Sequence, residues 1–238
     1  MLLLALACLS PRQVDQLIAS NAEIATALTT SQTALAECES SQPPPPAPKP
    51  SAAEELEAQT LNTQITDAIG MGDVTRAKEL MAKLMDELGH TEAADRAKRT
   101  AMELEIVGRD VPSLDQVDWW QGQYDPQANA TLFIFWEVWC PHCRREVLQM
   151  NETWKKYKDQ GLQVVGLTRV TSATEEGAKE FMAENELGYI IGRDRGGQVS
   201  AAFGVQGIPA AAVVQDGKVV WRGHPGRLSE EAFALWLK

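Results

Sequence analysis

The feature that most constrains the fold is a Cys140-Pro-His-Cys143 motif placed directly after an apolar segment. Residues 131–136 predict a buried strand, and apolar residues then recur at helical spacing from Cys143 to Gly161. A strand that leads through this motif into a helix places the first sulfur at the helix N-terminus, where unpaired backbone N–H groups favour a thiolate. We therefore predict a dithiol/disulfide redox couple in which Cys140 attacks and Cys143 resolves the mixed disulfide.

The two residues between the cysteines fit this interpretation. Pro141 suits the first helical turn because the N–H it lacks has no partner there. His142 adds a group that is partly cationic near neutral pH and can stabilise the Cys140 thiolate. The alternatives are a zinc site or a structural disulfide. A zinc site needs about four ligands, and no second Cys/His pair with ligand spacing is present, so neither a metal nor another cofactor is predicted.

The C-terminal half alternates strand and helix patterns. The predicted strands after the motif lie at residues 162–167, 188–191, 210–214 and 218–222, and the predicted helices at 174–187 and 230–237. Asp216-Gly217 predicts a tight hairpin turn, and Ser229 is a capping residue for the last helix. Such alternation predicts an α/β domain with a parallel core.

The order of these motifs is similar to that of a thioredoxin fold. The pattern Phe-Trp-x-x-Trp-Cys-x-x-Cys, then Gly207-Ile208-Pro209, an Asp-Gly hairpin and a terminal helix most resembles the TlpA/ResA branch of bacterial extracytoplasmic thioredoxins, over residues 109–238. The resemblance implies a central mixed sheet flanked by helices, and thiol-disulfide oxidoreductase activity. It also implies that Pro209 is cis, faces the dithiol and docks the substrate backbone, with Trp139, Gly207 and Ile208 contacting substrate.

The resemblance extends to Glu146 and is broken at three places. Relatives carry a glutamate near the dithiol, so Glu146 is a candidate to relay the proton of Cys143, one helical turn away; the alternative is a solvated helix residue. Ile134 stands where thioredoxin itself has a buried aspartate, which favours the TlpA-like branch. The Pro-His dipeptide is that of the oxidase DsbA. Glu137 replaces a small residue, and we expect a surface charge beside the site, the alternative being a carboxylate that tunes it.

The chain begins with a short apolar leader at residues 1–8. It resembles a bacterial lipoprotein signal whose Cys8 would be acylated and become the mature N-terminus; the alternative is an ordinary thiol. Ala5 and the lack of a basic region make the match to such a signal imperfect. The run is far shorter than the ~20 apolar residues of a transmembrane helix.

Residues 9–40 predict a coiled-coil helix. Apolar and small polar residues recur alternately three and four apart across four heptads: Val14, Leu17, Asn21, Ile24, Leu28, Ser31, Leu35 and Cys38. We expect a homo-oligomer through residues 11–38, with Cys38 placed for an interchain disulfide. The alternative is an amphipathic helix docked on its own chain.

Two further segments separate this helix from the thioredoxin-like part. Residues 41–51 are proline-rich and predict a stiff spacer. Residues 52–108 predict a helical hairpin region with helices at 53–69, 73–88 and 92–107. This region either packs on the thioredoxin-like part or binds a partner.

Together these features predict a membrane-tethered oxidoreductase of the bacterial cell envelope, in the periplasm and lipid-anchored through Cys8. Its partners would be protein thiols and disulfides, such as apocytochrome or other envelope proteins, and a redox partner that recycles the dithiol. We favour a reductase; the alternatives are a DsbA-like oxidase or oligomeric isomerase, and a non-catalytic envelope scaffold. A thiol peroxidase is disfavoured because its Pro-x-x-x-Thr-x-x-Cys pattern is absent, and the net charge of −11 argues against nucleic-acid binding.

Overall fold

The computed structural model describes residues 49–171 and 173–237, together with scattered positions between residues 12 and 29. The chain divides into two compact units, Met1–Pro48 and Lys49–Lys238. In the first unit the described positions are helical, and Asn21 and Ile24 of the predicted seam are exposed. The other seam positions, Cys8, Cys38 and most of the proline run lie outside the described residues. The coiled coil, the lipid anchor and the interchain disulfide therefore stay predictions.

The second unit begins with three helices, α1 Ala52–Gly70, α2 Val74–Leu88 and α3 Glu92–Ile106. Each starts at a side chain that accepts a backbone N–H of the first turn. Ser51 forms a capping box with Glu54, and Asp73 and Thr91 cap the next two helices. The three predicted helices are confirmed, with ends displaced by no more than one residue.

Within the described residues, six strands form one mixed sheet in the order β1-β4-β3-β2-β5-β6. The strands are β1 Val117–Gln121, β2 Ala130–Phe135, β3 Leu162–Thr168, β4 Ile190–Asp194, β5 Ala210–Gln215 and β6 Lys218–Gly223. Strands β2, β3 and β4 are parallel, whereas β1, β5 and β6 run antiparallel to their neighbours. Every residue of the central strand β2 is buried. This arrangement confirms the predicted thioredoxin-like fold, a mixed sheet flanked by helices.

Helices cover both faces of this sheet. They are α4 Pro141–Tyr157, α5 Glu175–Glu184, α6 Gln198–Ala202 and α7 Glu230–Trp236, with short 3-10 helices at Lys158–Gln160, Arg195–Gly197 and Pro225–Arg227. Alternate residues of β2 enter two different cores: Leu132 and Ile134 pack with α4 and α7, whereas Phe133 and Phe135 pack with Phe203, which follows α6. The period-two alternation of a strand thus separates the two layers.

The structure differs from the sequence prediction around α5 and β4. The helix expected at 174–187 ends at Glu184, and the strand expected at 188–191 runs instead over Ile190–Asp194. The chain turns between them because Glu186 adopts a left-handed φ of 50°. Strand β1 and helix α6 were not predicted at all. The Asp216-Gly217 hairpin is confirmed, with φ values of 48° and 73°.

The N-terminal helices share a hydrophobic core with the sheet. The buried indole of Trp221 on β6 donates a hydrogen bond from Nε1 to the carbonyl oxygen of Ile69 at 2.8 Å. The backbone N–H of Ser229 donates to the carbonyl oxygen of Gly70 at 3.0 Å. Helices α1 to α3 are therefore an integral layer of the unit. None of the helices among the described residues is both long and apolar enough to cross a bilayer.

Candidate active site

Strand β2 carries the chain to the edge of the sheet where the two cysteines lie. Cys140 is the N-cap of α4, and Pro141 occupies the first turn of the helix. The Cys140 sulfur accepts a hydrogen bond from the backbone N–H of Cys143 at a donor–acceptor distance of 3.4 Å. The helix N-terminal position predicted for the first sulfur is confirmed, and the amide dipole there favours negative charge on it.

The two sulfurs have different surroundings. Both are free thiols, and Cys140 is 7% exposed while Cys143 is fully buried. Burial raises the pKa of the Cys143 thiol far above its ordinary value, and the hydrogen bond with Cys140 and the charge of Cys140 add to the rise. A backbone hydrogen bond with Glu137 opposes it. Cys140 is therefore the less buried of the two sulfurs, and the raised pKa keeps Cys143 protonated.

His142 lies exposed between the cysteines and contacts a cation. Nη2 of Arg145 is 2.7 Å from Nδ1 of the imidazole. A guanidinium has donors only, so Nδ1 must accept this hydrogen bond. The imidazole of His142 thus contacts the guanidinium of Arg145, for which the sequence pattern predicted no role.

The peptide bond between Ile208 and Pro209 is cis, as the resemblance implied. Pro209 is buried, Ile208 is half-buried and Gly207 is exposed. A cleft of about 460 Å³ is lined by Gly207 and Ile208 together with Trp139, whose side chain is half exposed. The residues predicted to contact substrate therefore line or adjoin one cleft beside the dithiol.

The expectation that Glu137 is a surface charge is wrong, because it is only 4% exposed. Its Oε1 accepts the N–H of Arg169 at 2.9 Å and its Oε2 accepts the N–H of Thr171 at 3.4 Å. Between these two amides Val170 has a φ of 58°, a left-handed conformation that β-branched residues rarely adopt. The negative charge of Glu137 also contributes to the raised pKa of Cys143. Glu137 is thus a buried carboxylate whose hydrogen bonds hold the loop after β3 in place beside the site.

Glu146 is half-buried on α4, and its Oε2 has no hydrogen-bond partner among the described residues. The carboxylate lies against Gly226, since a Cβ built on that glycine would be 3.1 Å from Oε1. It also faces His224, whose pKa is lowered mainly by burial, with the charge of Glu146 opposing that effect. Nδ1 of His224 accepts the N–H of Gly226 at 3.1 Å.

A second cavity, of about 240 Å³, adjoins the cis-proline loop and His142. Its charged lining includes Arg99 and Glu103 of α3 and Arg227 of the last 3-10 helix. Sequence reasoning missed these residues, because a charge on an amphipathic helix gives no local signal of what it faces. Only the packing of α3 near the sheet brings Arg99 to the cavity that borders His142 and the cis-proline loop.

A family model matches the part of the chain that holds the dithiol. The AhpC/TSA family model matches residues 107–222, which contain β1 to β5, nearly all of β6 and both cysteines. The matched residues are just under half of the chain. They include the dithiol and cis-Pro209, while Arg99 and Arg227 lie outside them.

Several proteins with sequences similar to this part of the chain are named thiol-disulfide oxidoreductase ResA. The protein of Bacillus thuringiensis subsp. konkukian is 32% identical over 115 residues, which are 48% of this chain and 65% of that protein. The protein of Halalkalibacterium halodurans is 26% identical over 44% of this chain and 58% of its own length. The chain therefore spans less than two thirds of these relatives.

Solved structures of similar proteins include a putative thiol:disulfide interchange protein DsbE from Chlorobium tepidum, with 24% identity and a TM-score of 0.47. That match covers 56% of this chain and 98% of the DsbE chain. StoA from Bacillus subtilis has 20% identity and a TM-score of 0.45, over 55% of this chain and 100% of its own.

Proposed function

We propose that this chain is a thiol-disulfide oxidoreductase that works through the Cys140–Cys143 couple. The observation that carries the proposal is the Cys140 sulfur at the N-terminus of α4, accepting the Cys143 amide, above a fully buried second thiol. The name shared by the ResA relatives supports the same activity.

The first step is attack on a partner's disulfide. The Cys140 thiolate displaces one sulfur of that bond, so that a Cys140–partner disulfide forms, the partner's disulfide breaks and one partner thiolate leaves. The amide N–H groups at the start of α4 stabilise the attacking charge. Attack by Cys140 rather than Cys143 follows from the raised pKa of Cys143.

The second step releases the partner. Cys143 loses its proton and attacks the Cys140 sulfur, which forms the Cys140–Cys143 disulfide and frees the second partner thiolate. The partner has then gained two electrons and the protein has lost two. We assign the proton acceptor to Glu146, one helical turn along α4, because its buried Oε2 has no other partner among the described residues.

The substrate backbone would dock along the loop that ends at cis-Pro209. Gly207 is exposed there and Ile208 is half-buried, and Trp139 stands across the cleft with half of its surface free. Half-exposed aromatic and apolar side chains beside a reactive sulfur fit an extended protein segment. The substrates are therefore protein disulfides, with apocytochrome or other envelope proteins as candidates.

We favour reduction as the direction of the reaction, in keeping with the TlpA/ResA resemblance. The Pro141-His142 dipeptide supports the alternative of a DsbA-like oxidase or an oligomeric isomerase. A few local contacts decide between them, because ~30 mV corresponds to only about 1.4 kcal/mol for a two-electron couple.

The predicted setting is the bacterial cell envelope, on the periplasmic side. We propose that Cys8 carries the lipid anchor, that residues 11–38 form a homo-oligomer with Cys38 available for an interchain disulfide, and that a separate redox partner recycles the dithiol. No nucleic-acid partner is proposed, given the net charge of −11.

Reduction of insulin disulfides tests the activity. We expect the reduced wild-type protein to accelerate insulin precipitation and Cys140→Ser to lose the acceleration. Equal rates for the two proteins would support the scaffold alternative and refute the enzyme. Mixed disulfides trapped with Cys143→Ala would identify the substrates.

Equilibration of the dithiol with glutathione tests the direction. A potential near the about −270 mV of thioredoxin supports a reductase, whereas a value near the about −120 mV of DsbA supports an oxidase.

A further inference from the structure

The second cavity joins the active site to the N-terminal helices. It shares Gly207 and Ile208 with the cleft beside Trp139, and it also borders Pro209 and His142. From the other direction α3 projects Arg99 towards it, and a Cβ built on Gly207 would lie 3.9 Å from Nη1 of that arginine. A polypeptide docked on the cis-proline loop would therefore pass within reach of a guanidinium that lies outside the residues matched by the family model.

The arginines at this cavity differ in how many hydrogen-bond and ion-pair partners they have. Arg222, 1% exposed, donates to the carbonyl oxygens of Phe203 and Ala211 and lies 3.9 Å from Glu103. By contrast, neither Arg99 nor Arg227 forms an ion pair among the described residues. Two guanidinium groups with free donors thus face the cavity, while its glutamate is already close to a buried cation.

The charges of these two arginines also affect the electrostatic potential inside the cavity. The charges of Arg99 and Arg227 each help to lower the pKa of His224, in addition to the larger effect of burial. The charges of Glu146 and Glu103 oppose them, and the effect of Glu146 is larger than that of either arginine. Two arginines and one glutamate line this cavity on a chain whose formal net charge is −11, so an anionic group would be drawn here rather than to the rest of the surface.

We propose that Arg99 and Arg227 form a subsite for a carboxylate side chain of the polypeptide whose disulfide is exchanged at Cys140. The subsite rests on the proposed function and adds a substrate preference to it, namely acidic residues next to the target cysteine. Planar guanidinium forks suit a carboxylate because they offer paired donors. A side chain is favoured over a free anion because the cavity continues into the cleft along the loop of residues 207–209, where the backbone would dock.

The test compares two synthetic peptides, each a cystine homodimer, that differ only in glutamate or glutamine at the positions flanking the cysteine. The rate constant for exchange with the reduced full-length protein is measured for both by acid quench and chromatography. The proteins are wild type, Arg99→Gln, Arg227→Gln, the double variant and Lys98→Gln. Lys98 is the matched control because it is exposed, neighbours Arg99 on α3 and pairs with Asp95 outside the cavity.

We expect the wild type to react faster with the glutamate peptide although the chain is acidic, and each arginine substitution to lower the ratio of the two rates about three- to fivefold. The double variant should lose the preference, and Lys98→Gln should keep it. A ratio at or below one for the wild type, or an unchanged ratio in the double variant, overturns the subsite.

Two further outcomes distinguish the side-chain subsite from a free-anion site and from a protein without exchange activity. If millimolar inorganic phosphate slows both peptides equally and Arg99→Gln abolishes that inhibition, the cavity binds a free anion, and the side-chain subsite is overturned. If neither peptide reacts faster with the wild type than with Cys140→Ser, the proposed function fails together with the subsite. Exchange of the glutamine peptide at a normal rate without a preference overturns the subsite alone.

Discussion

Replacement of Glu137 by glutamine should weaken the fold measurably, because the carboxylate accepts two backbone N–H groups and glutamine offers one acceptor oxygen. The amide oxygen can keep the 2.9 Å bond from Arg169, but the NH2 group then faces the N–H of Thr171. Loss of a hydrogen bond to a charged group costs about 1.5–3 kcal/mol, and a buried donor left without an acceptor costs about 1–3 kcal/mol. Since such terms overlap, we expect a loss of about 3 kcal/mol in the free energy of unfolding.

Thermal unfolding of the reduced protein, followed by circular dichroism, measures this effect. For a domain of this size 1 kcal/mol shifts the melting temperature by roughly 2–4 °C, so Glu137→Gln should melt about 6–12 °C lower. Glu184→Gln is the control, since Glu184 is exposed on α5 and such substitutions change stability by no more than about 0.5 kcal/mol.

A second measurement separates the charge of Glu137 from its hydrogen bonds. That charge contributes to the raised pKa of Cys143, so the variant should allow alkylation of Cys143 to begin at a lower pH. A melting temperature within about 2 °C of the Glu184→Gln control, with an unchanged onset of alkylation, would refute the assigned role.

Three other outcomes are expected. Iodoacetamide added to the reduced protein near neutral pH should label Cys140 well before Cys143, because burial raises the pKa of Cys143; equal labelling by peptide mass mapping would contradict this. Burial lowers the pKa of His224, so as the pH falls this histidine is protonated in the unfolded chain before it is protonated in the folded protein. The free energy of unfolding should therefore decline below about pH 6.5. In urea titrations at several pH values, His224→Gln should make that decline smaller. Trp221→Phe removes the donor to the Ile69 carbonyl and should cost about 1–3 kcal/mol, and an unchanged urea midpoint would show that this bond does not anchor α1.

The parts of the molecule that sequence reasoning predicted well are those with local causes. The start of α4 was predictable because Pro141 and the cysteine spacing determine it over four residues. The limits of α1 to α3 were predictable because capping side chains and glycines mark them. The cis bond at Pro209 followed from the family resemblance rather than from the residues alone.

The parts that could not be predicted depend on distant segments. Glu137 follows a buried strand and looks like a solvated charge, but the turn at Val170 brings two amides to it from the end of β3. No feature of the sequence distinguishes Arg99 from Lys98. In the structure Arg99 lines the second cavity, whereas Lys98 pairs with Asp95. The burial of Glu137 and the cavity that Arg99 faces both depend on how distant segments pack together, so neither could be predicted from local sequence.

The hydrogen bond between Trp221 and Ile69 joins residues 152 positions apart, and this has a consequence for how the chain is made. Helix α1 is synthesised before β6, so the Ile69 carbonyl lacks its indole donor until the chain has been made as far as Trp221. Contacts of such long sequence separation form slowly and leave apolar surface uncovered in the meantime. A nascent chain of this protein therefore holds the end of α1 without this hydrogen bond until β6 has been synthesised, so the contact between the N-terminal helices and the sheet is completed late in folding.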